Sequence, residues 1–257
     1  MTIFAHRGVC SQAPENTMAA FRLAADRGFA IELDVGLCRS GEPVVIHDDV
    51  LDRTTSGIGP VATCDLRDLR LLDAGKWFGD AFRGERIPLL DEVLDAFGSY
   101  VPIDIELKPT EHRQPLVQAV VDRIEQHGLI ERVMVTSFDP FILEQVRRRN
   151  PEIRRGQIYG TLEGTNIAWW RRVALKNLVG NRWAVPDALI VEHSLVNAPF
   201  VTRMHRRGYR IFVWTVNEET EMRRLLALGV DGIITDYPDV LQPLQSTSSA
   251  LGSTKNP

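Results

Sequence analysis

A chain of 257 residues with 44% hydrophobic and 25% charged residues can bury a large core. Its formal net charge of −4 argues against a generic duplex-binding surface, which needs a basic face, so no nucleic-acid partner is expected. The three cysteines, Cys10, Cys38 and Cys64, have no CxxC spacing, which argues against a disulfide framework and a zinc site. No apolar run approaches the ~18 residues of a membrane span, and no signal peptide precedes His6, so the expectation is a cytoplasmic protein without a transmembrane segment.

Short β-branched runs alternate with amphipathic stretches along the chain. Residues 2–5 read as a first strand. Residues 16–27 place Ala19, Ala20, Leu23 and Ala24 at helical spacing, and Gly28 ends that helix. A second strand spans 30–35, and 43–46 is a short extended piece. A third strand at 101–107 precedes a helix at 114–127. The fourth strand, 132–136, leads into a helix at 140–149 closed by Asn150-Pro151. The fifth, 154–158, is paired with a helix at 168–178. The sixth, 188–191, precedes a helix at 199–207. The seventh, 210–214, precedes a helix at 218–228, and 232–235 is the eighth strand.

Short apolar strands separated by helices imply a parallel sheet covered on its outer face, and eight such units point to a closed (β/α)8 barrel of the TIM type. An open doubly wound sheet is the alternative, weakened because no GxGxxG follows the first strand. Residues 48–88 break the rhythm and read as a small insertion over one barrel mouth. The expected organisation is one barrel over 1–244, including that insertion, and a disordered or fraying tail over 245–257, which is rich in Ser, Thr and Gly.

The catalytic face of such a barrel is built at the C-terminal ends of its strands. There the chain places His6 and Arg7, then Glu32 and Asp34, then His47 and Asp48. Glu106 and Lys108, Trp214 and Asn217, and finally Asp236 follow. Residues i and i+2 of a strand share a face, so Glu32 and Asp34 form a same-side carboxylate pair, and Glu106 and Lys108 likewise share one side, with Asp104 before them. Acids on an apolar strand need neutralising. A hard divalent cation, Mg2+ or Ca2+, on Glu32, Asp34 and Glu106 would do so, and so would salt bridges to Arg7 and Lys108. His6 and His47 at strand ends suit a general acid and a general base. His112, His127 and His205 read as ordinary surface or core residues, and His193 lies near the same mouth.

These residues fall into an ordered series. It runs His6-Arg7-Gly8, Pro14-Glu15-Asn16-Thr17, Glu32-Leu33-Asp34 and Pro43-Val44-Val45-Ile46-His47-Asp48. Leu51-Asp52-Arg53-Thr54-Thr55-Ser56-Gly57, Leu72-Asp73-Ala74-Gly75 and Ile87-Pro88-Leu89 follow. Glu106-Leu107-Lys108, Trp214-Thr215-Val216-Asn217 and Gly229-Val230-Asp231-Gly232-Ile233-Ile234-Thr235-Asp236 close it. The series resembles the glycerophosphodiester phosphodiesterase family over nearly the whole chain. That resemblance implies a divalent cation on Glu32, Asp34 and Glu106, and His6 and His47 as the acid/base pair. It also implies Arg7 and Lys108 on the phosphate, Trp214 lining the pocket, and a small glycerophosphodiester as substrate. The implied products are glycerol 3-phosphate and an alcohol such as choline or ethanolamine. The rival activities are a lysophospholipase D, which would need an apolar path into the mouth, and a silent barrel that only binds a phosphodiester.

Other features have plainer readings. Asn16 is expected to cap the first helix, and Glu15 either to orient His6 or to serve that helix terminus. Gly8 and Gly36 are expected at turns. Arg147-Arg148-Arg149 and Arg171-Arg172 read as solvated helix faces, and Trp169-Trp170 as core or interface.

Overall fold

The structure, a computed structural model, describes residues 1–161 and 178–253. Nine strands are present among the described residues: β1 (Thr2–His6), β2 (Ala30–Leu37), β3 (Pro43–Val45), β4 (Ile103–Leu107), β5 (Val133–Ser137), β6 (Arg154–Tyr159), β7 (Ala188–Glu192), β8 (Arg210–Trp214) and β9 (Gly232–Thr235). Eight of them are parallel and run in the order β1-β9-β8-β7-β6-β5-β4-β2, with β1 pairing β2 to close the barrel. The ninth, β3, lies antiparallel on the far end of β2, Val35 opposite Val45. The closed (β/α)8 architecture is the one read from the sequence.

Alternation along each strand explains both faces of the wall. One parity (Ile31, Leu33, Ile103, Ile105, Val133, Val135, Leu189 and Ile211 among others) is buried under the helices in the main core. The other points into the barrel. At the lower level it forms an apolar plug of Phe4, Ala30, Met134, Ile158, Ile190, Phe212 and Ile234, with the Phe4 and Phe212 rings 5.3 Å apart. One step further along the same strands, this parity becomes His6, Glu32, Asp104, Glu106, Thr136 and Trp214. The plug makes the mouth a shallow bowl with a dry floor.

The covering helices are α1 (Met18–Asp26), α2 (Leu66–Leu69), α3 (Leu90–Phe97), α4 (Arg113–Gln126), α5 (Pro140–Arg149), α6 (Asn181–Ala184), α7 (Ala198–Arg206), α8 (Glu219–Leu228) and α9 (Pro238–Ser253). The cap of α1 is Thr17, whose hydroxyl accepts from the Ala20 amide, not Asn16 as expected. Asn16 is buried at φ +56°, a left-handed conformation asparagine tolerates, and is committed elsewhere. Gly36 lies within β2 rather than at a turn. Gly8 does sit at one, at φ +82°, and a Cβ there would lie 2.6 Å from that of Ala20.

Helix α3 was not apparent from the sequence. It buries Leu90, Val93, Leu94 and Phe97, with Phe97 edge-on to Phe21 of α1 at 6.4 Å. Each such side chain contributes roughly 1.5–3 kcal/mol of burial. Helix α9 reaches Ser253, so it takes in much of the stretch expected to be disordered. Leu241 is fully buried and the Gln245 amide donates to the Met1 carbonyl at 2.8 Å, which holds the helix to the barrel. The helix expected at 168–178 falls outside the described residues except for Leu178, as do Trp169-Trp170 and Arg171-Arg172. No helix among the described residues is long and apolar enough to cross a membrane.

Between β3 and α3 the insertion folds around a small core of its own. Val44, Ile46, Leu51, Val61, Leu69, Ala74, Ile87 and Cys38 are buried together there.

Candidate active site

Strand ends bring one charged cluster to the mouth. Glu32 and Asp34 of β2 and Glu106 of β4 each offer a carboxylate oxygen, all within 4.8 Å of one another. Asp34 opposes Glu106 in the strand register, which is why two acids from different strands converge. Lys108, just past β4, reaches Asp34 at 2.6 Å and Glu106 at 2.9 Å. Arg7, just past β1, lies 3.2 Å from Asp34, and its backbone amide donates to Glu32 at 2.9 Å. The buried Asn16 amide donates to Asp34 at 2.8 Å.

The salt bridges weighed as an alternative to a cation therefore exist, but they reach only Asp34 and Glu106 among these acids. Two cationic side chains face four carboxyls, Glu32, Asp34, Asp104 and Glu106, and Arg7 is also paired with Glu15 at 2.7 Å. Burial, then the neighbouring Asp34 charge, pushes Glu32 up to about 8. Asp104 is likewise pushed up to about 8, chiefly by burial, and its Oδ2 has no hydrogen-bond partner among the described residues. Burial opposes ionisation of Asp34 too, but Lys108 and Arg7 hold its carboxyl well below the ordinary range. A compact, all-oxygen set in which Glu32 and Asp104 have no salt bridge among the described residues fits a hard divalent cation.

The two histidines lie near this cluster, His6 by Glu32 and His47 by Asp34, each with Nδ1 on a carboxylate. His6, at the end of β1, meets Asp236 at 2.7 Å. His47, after β3, meets Asp48 at 2.6 Å. Their settings differ. Asp236 otherwise receives only neutral donors, the Asn217 amide at 2.6 Å and the Cys10 thiol at 3.0 Å. Asp48 is shared with Arg53, whose Nε lies 2.6 Å from it. Burial works against a charge on His6, yet the Asp236 hydrogen bond and nearby Glu32 leave its pKa raised.

His6, Glu32, Asp104, Glu106, Phe138 and Trp214 line one small pocket over the barrel axis, with Trp214 edge-on to Phe138 at 5.6 Å. A larger cleft of about 510 Å³ opens beside it, between the insertion and the β4–α4 loop. It contains His47 and Lys108, and its wall includes Leu37, Ile46, Val61, Pro109 and Leu116.

Residues 6–240 match the model of the glycerophosphoryl diester phosphodiesterase family. The chain belongs to that family. The Bacillus subtilis protein YhdW is 38% identical over 246 residues, covering 94% of this chain and 96% of its own. A glycerophosphodiester phosphodiesterase of Caldanaerobacter subterraneus is 36% identical, covering 93% and 95%. Among solved structures, a phosphodiesterase of Oleispira antarctica in complex with its product sn-glycerol-3-phosphate superposes with a TM-score of 0.84 at 32% identity. That match covers 96% of this chain and 97% of the other. As a member of the glycerophosphoryl diester phosphodiesterase family, the chain is a phosphoric diester hydrolase.

Every site residue picked from the sequence lies at this one mouth of the phosphodiesterase barrel. The sequence reading did not assign the residues that hold them. Asp236 and Asn217 were placed at the mouth without a role. Glu15 does not touch His6; it bridges Arg7 and Arg53, with Arg53 at 2.7 and 2.8 Å. Arg53 comes from the insertion, so Glu15 ties that segment to the barrel. The available signal was its place in the Leu51–Gly57 run, which says nothing of its partners.

Proposed function

We propose that the chain hydrolyses glycerophosphodiesters to sn-glycerol 3-phosphate and an alcohol, with His6 and His47 as acid and base. Glu32, Asp34 and Glu106 would hold one divalent cation, Mg2+ or Ca2+. The observation that carries this reading is the convergence on one mouth of three carboxylates within 4.8 Å and two histidines, each with Nδ1 held by a carboxylate. When bound, the cation would supply positive charge to offset that of the phosphate.

The remaining work falls to the chain. Arg7 and Lys108 are charge-assisted donors to the phosphate oxygens. Holding each histidine by Nδ1 turns Nε2 outward for proton transfer. Among the described residues Asp236 has no cationic partner besides His6, so its charge favours the imidazolium form of His6, which acts as the acid on the leaving alcohol. Arg53 offsets Asp48, leaving His47 free to act as the base. The proton it takes belongs to the glycerol 2-hydroxyl, a neighbouring nucleophile with a large entropic advantage over free water. A cyclic phosphate forms first and water opens it. Trp214 and Phe138 wall the pocket on the side of His6.

The test is release of sn-glycerol 3-phosphate from glycerophosphocholine with Mg2+, Ca2+ or EDTA. His6→Ala and His47→Ala should each lower turnover by about 10²–10⁴-fold while circular dichroism stays unchanged. Wild-type rates in either variant, or full activity in EDTA, would sink the assignment.

One observation favours a second reading. The apolar-walled cleft adjoins His47, on the glycerol side in this scheme, and has room for an acyl chain carried on that glycerol. A lysophospholipase D would then show a higher kcat/KM for lysophosphatidylcholine than for glycerophosphocholine; the reverse order would exclude it.

A further inference from the structure

Cys10 lies four residues beyond His6, in the loop that follows β1, and its thiol points at the same oxygen of Asp236 that holds His6. Cys10 Sγ donates to Asp236 Oδ1 at 3.0 Å, and His6 Nδ1 lies 2.7 Å from that oxygen. One imidazole nitrogen, one sulfur and one carboxylate oxygen thus lie within 4.8 Å of one another. We propose that His6, Cys10 and Asp236 form a second metal site, distinct from the carboxylate cluster, whose occupation by a thiophilic ion such as Zn2+ shuts the enzyme off.

The donor chemistry separates the two sites. Oxygens alone suit Mg2+ and Ca2+, whereas a mixed nitrogen, sulfur and oxygen set suits Zn2+, Cd2+ or Co2+. Metal–ligand distances of about 2.0–2.3 Å require donors roughly 3.5 Å apart in a tetrahedron, which these three side chains reach by small rotations. Three protein ligands with a fourth position for water is a common zinc arrangement. The other oxygen of Asp236 is held by Asn217 at 2.6 Å, the outer support that keeps a ligating carboxylate in place. All three side chains are partly exposed, so an ion has a way in. The ligands sit at positions 6, 10 and 236, which is why cysteine spacing alone argued against zinc.

Binding displaces the Cys10 thiol proton and any proton on His6 Nδ1 to solvent, and no electron changes hands. A metal on Nδ1 takes the place of the Asp236 hydrogen bond. His6 then carries a single proton, on Nε2, and releasing it would leave a metal-bound imidazolate, a much poorer acid than an imidazolium. The loss of activity rests on the acid/base role proposed for His6; binding itself does not.

The test uses the full chain with Mg2+ in excess. Cd2+ is added and thiolate-to-metal charge-transfer absorption is recorded, while Zn2+ inhibition of glycerophosphocholine hydrolysis is measured in parallel. Cys10→Ser keeps a donor to Asp236, and its inhibition is read against its own zinc-free rate. It should lose the Cys10 share of the cadmium absorption and need at least about tenfold more Zn2+ for half-inhibition. Cys38→Ser and Cys64→Ser should keep both responses, and Cys10→Ala should lose both metal responses as the serine variant does. Equal cadmium absorption in wild type and Cys10→Ser would overturn the site. Equal zinc inhibition would overturn its control of activity. Absorption lost in Cys10→Ser without any zinc inhibition of wild type would refute the shut-off and count against His6 as the acid, with the metal site standing.

Discussion

Replacing Asp104 by asparagine reverses the usual outcome of mutating a buried acid. Its carboxyl sits beneath the mouth with one oxygen on Thr136 at 2.9 Å and the other unpartnered. Burial, together with the charges of Glu106 and Asp34, raises it from 3.8 to about 8. A raised acid pKa means the folded chain holds a proton that the unfolded chain has lost between those values. Stability from this group is therefore full below about pH 4 and falls as pH rises, until the folded carboxyl itself ionises near 8. The slope is about 1.4 kcal/mol per pH unit, so wild type should lose on the order of 4 kcal/mol relative to Asp104→Asn between pH 5 and pH 8. Urea denaturation followed by tryptophan fluorescence, with a chelator present, measures that difference directly. Stability curves of the two proteins that run parallel from pH 5 to pH 8 would refute the reasoning.

Two further outcomes follow from the same geometry. Glu32, at about 8, holds a proton at pH 7 that cation binding must expel. Mg2+ or Ca2+ affinity should therefore rise up to about tenfold per pH unit below 8 and level off above it; calorimetry at pH 7 in buffers of different ionisation enthalpy should detect roughly one proton released, and none would contradict it. Gly75→Ala would set a Cβ 2.0 Å from the Phe82 carbonyl oxygen, so the insertion must shift. The expected cost is about 1–3 kcal/mol, with proteolysis confined to the insertion; unchanged stability would count against that contact.

The barrel was legible because a parallel sheet buried on both faces writes itself as short apolar runs, and its acids interrupt those runs at strand ends. Glu32-Leu33-Asp34 and Glu106-Leu107-Lys108 carry both messages at once. Helix α3 was not, although Leu90, Val93, Leu94 and Phe97 have helical spacing, because it follows an irregular segment and starts from Leu89, which has no capping oxygen. The supports of the site were hidden for another reason. Glu15 meets Arg53 across 38 residues, and His6 meets Asp236 across 230. Pairings of that kind are products of closure of the barrel, and local periodicity has no term for them. Asn16 had a local reading as a cap, and the tertiary demand of Asp34 overrode it.

The separate core of the insertion bears on how such an enzyme can diversify. His6 is fixed by a strand of the barrel wall, but His47 stands beside a small body with its own packing, joined to the wall through Glu15 and the β2–β3 pairing. Half of the proposed acid–base pair is thus carried by a part that can be rebuilt while the barrel stays as it is. Lengthening or reshaping that part alters the cleft beside His47, and it reaches the carboxylate cluster through the chain Arg53–Glu15–Arg7–Asp34. The barrel and its cover can therefore drift at different rates, one bound by the phosphate common to all substrates and the other free to follow what hangs from it.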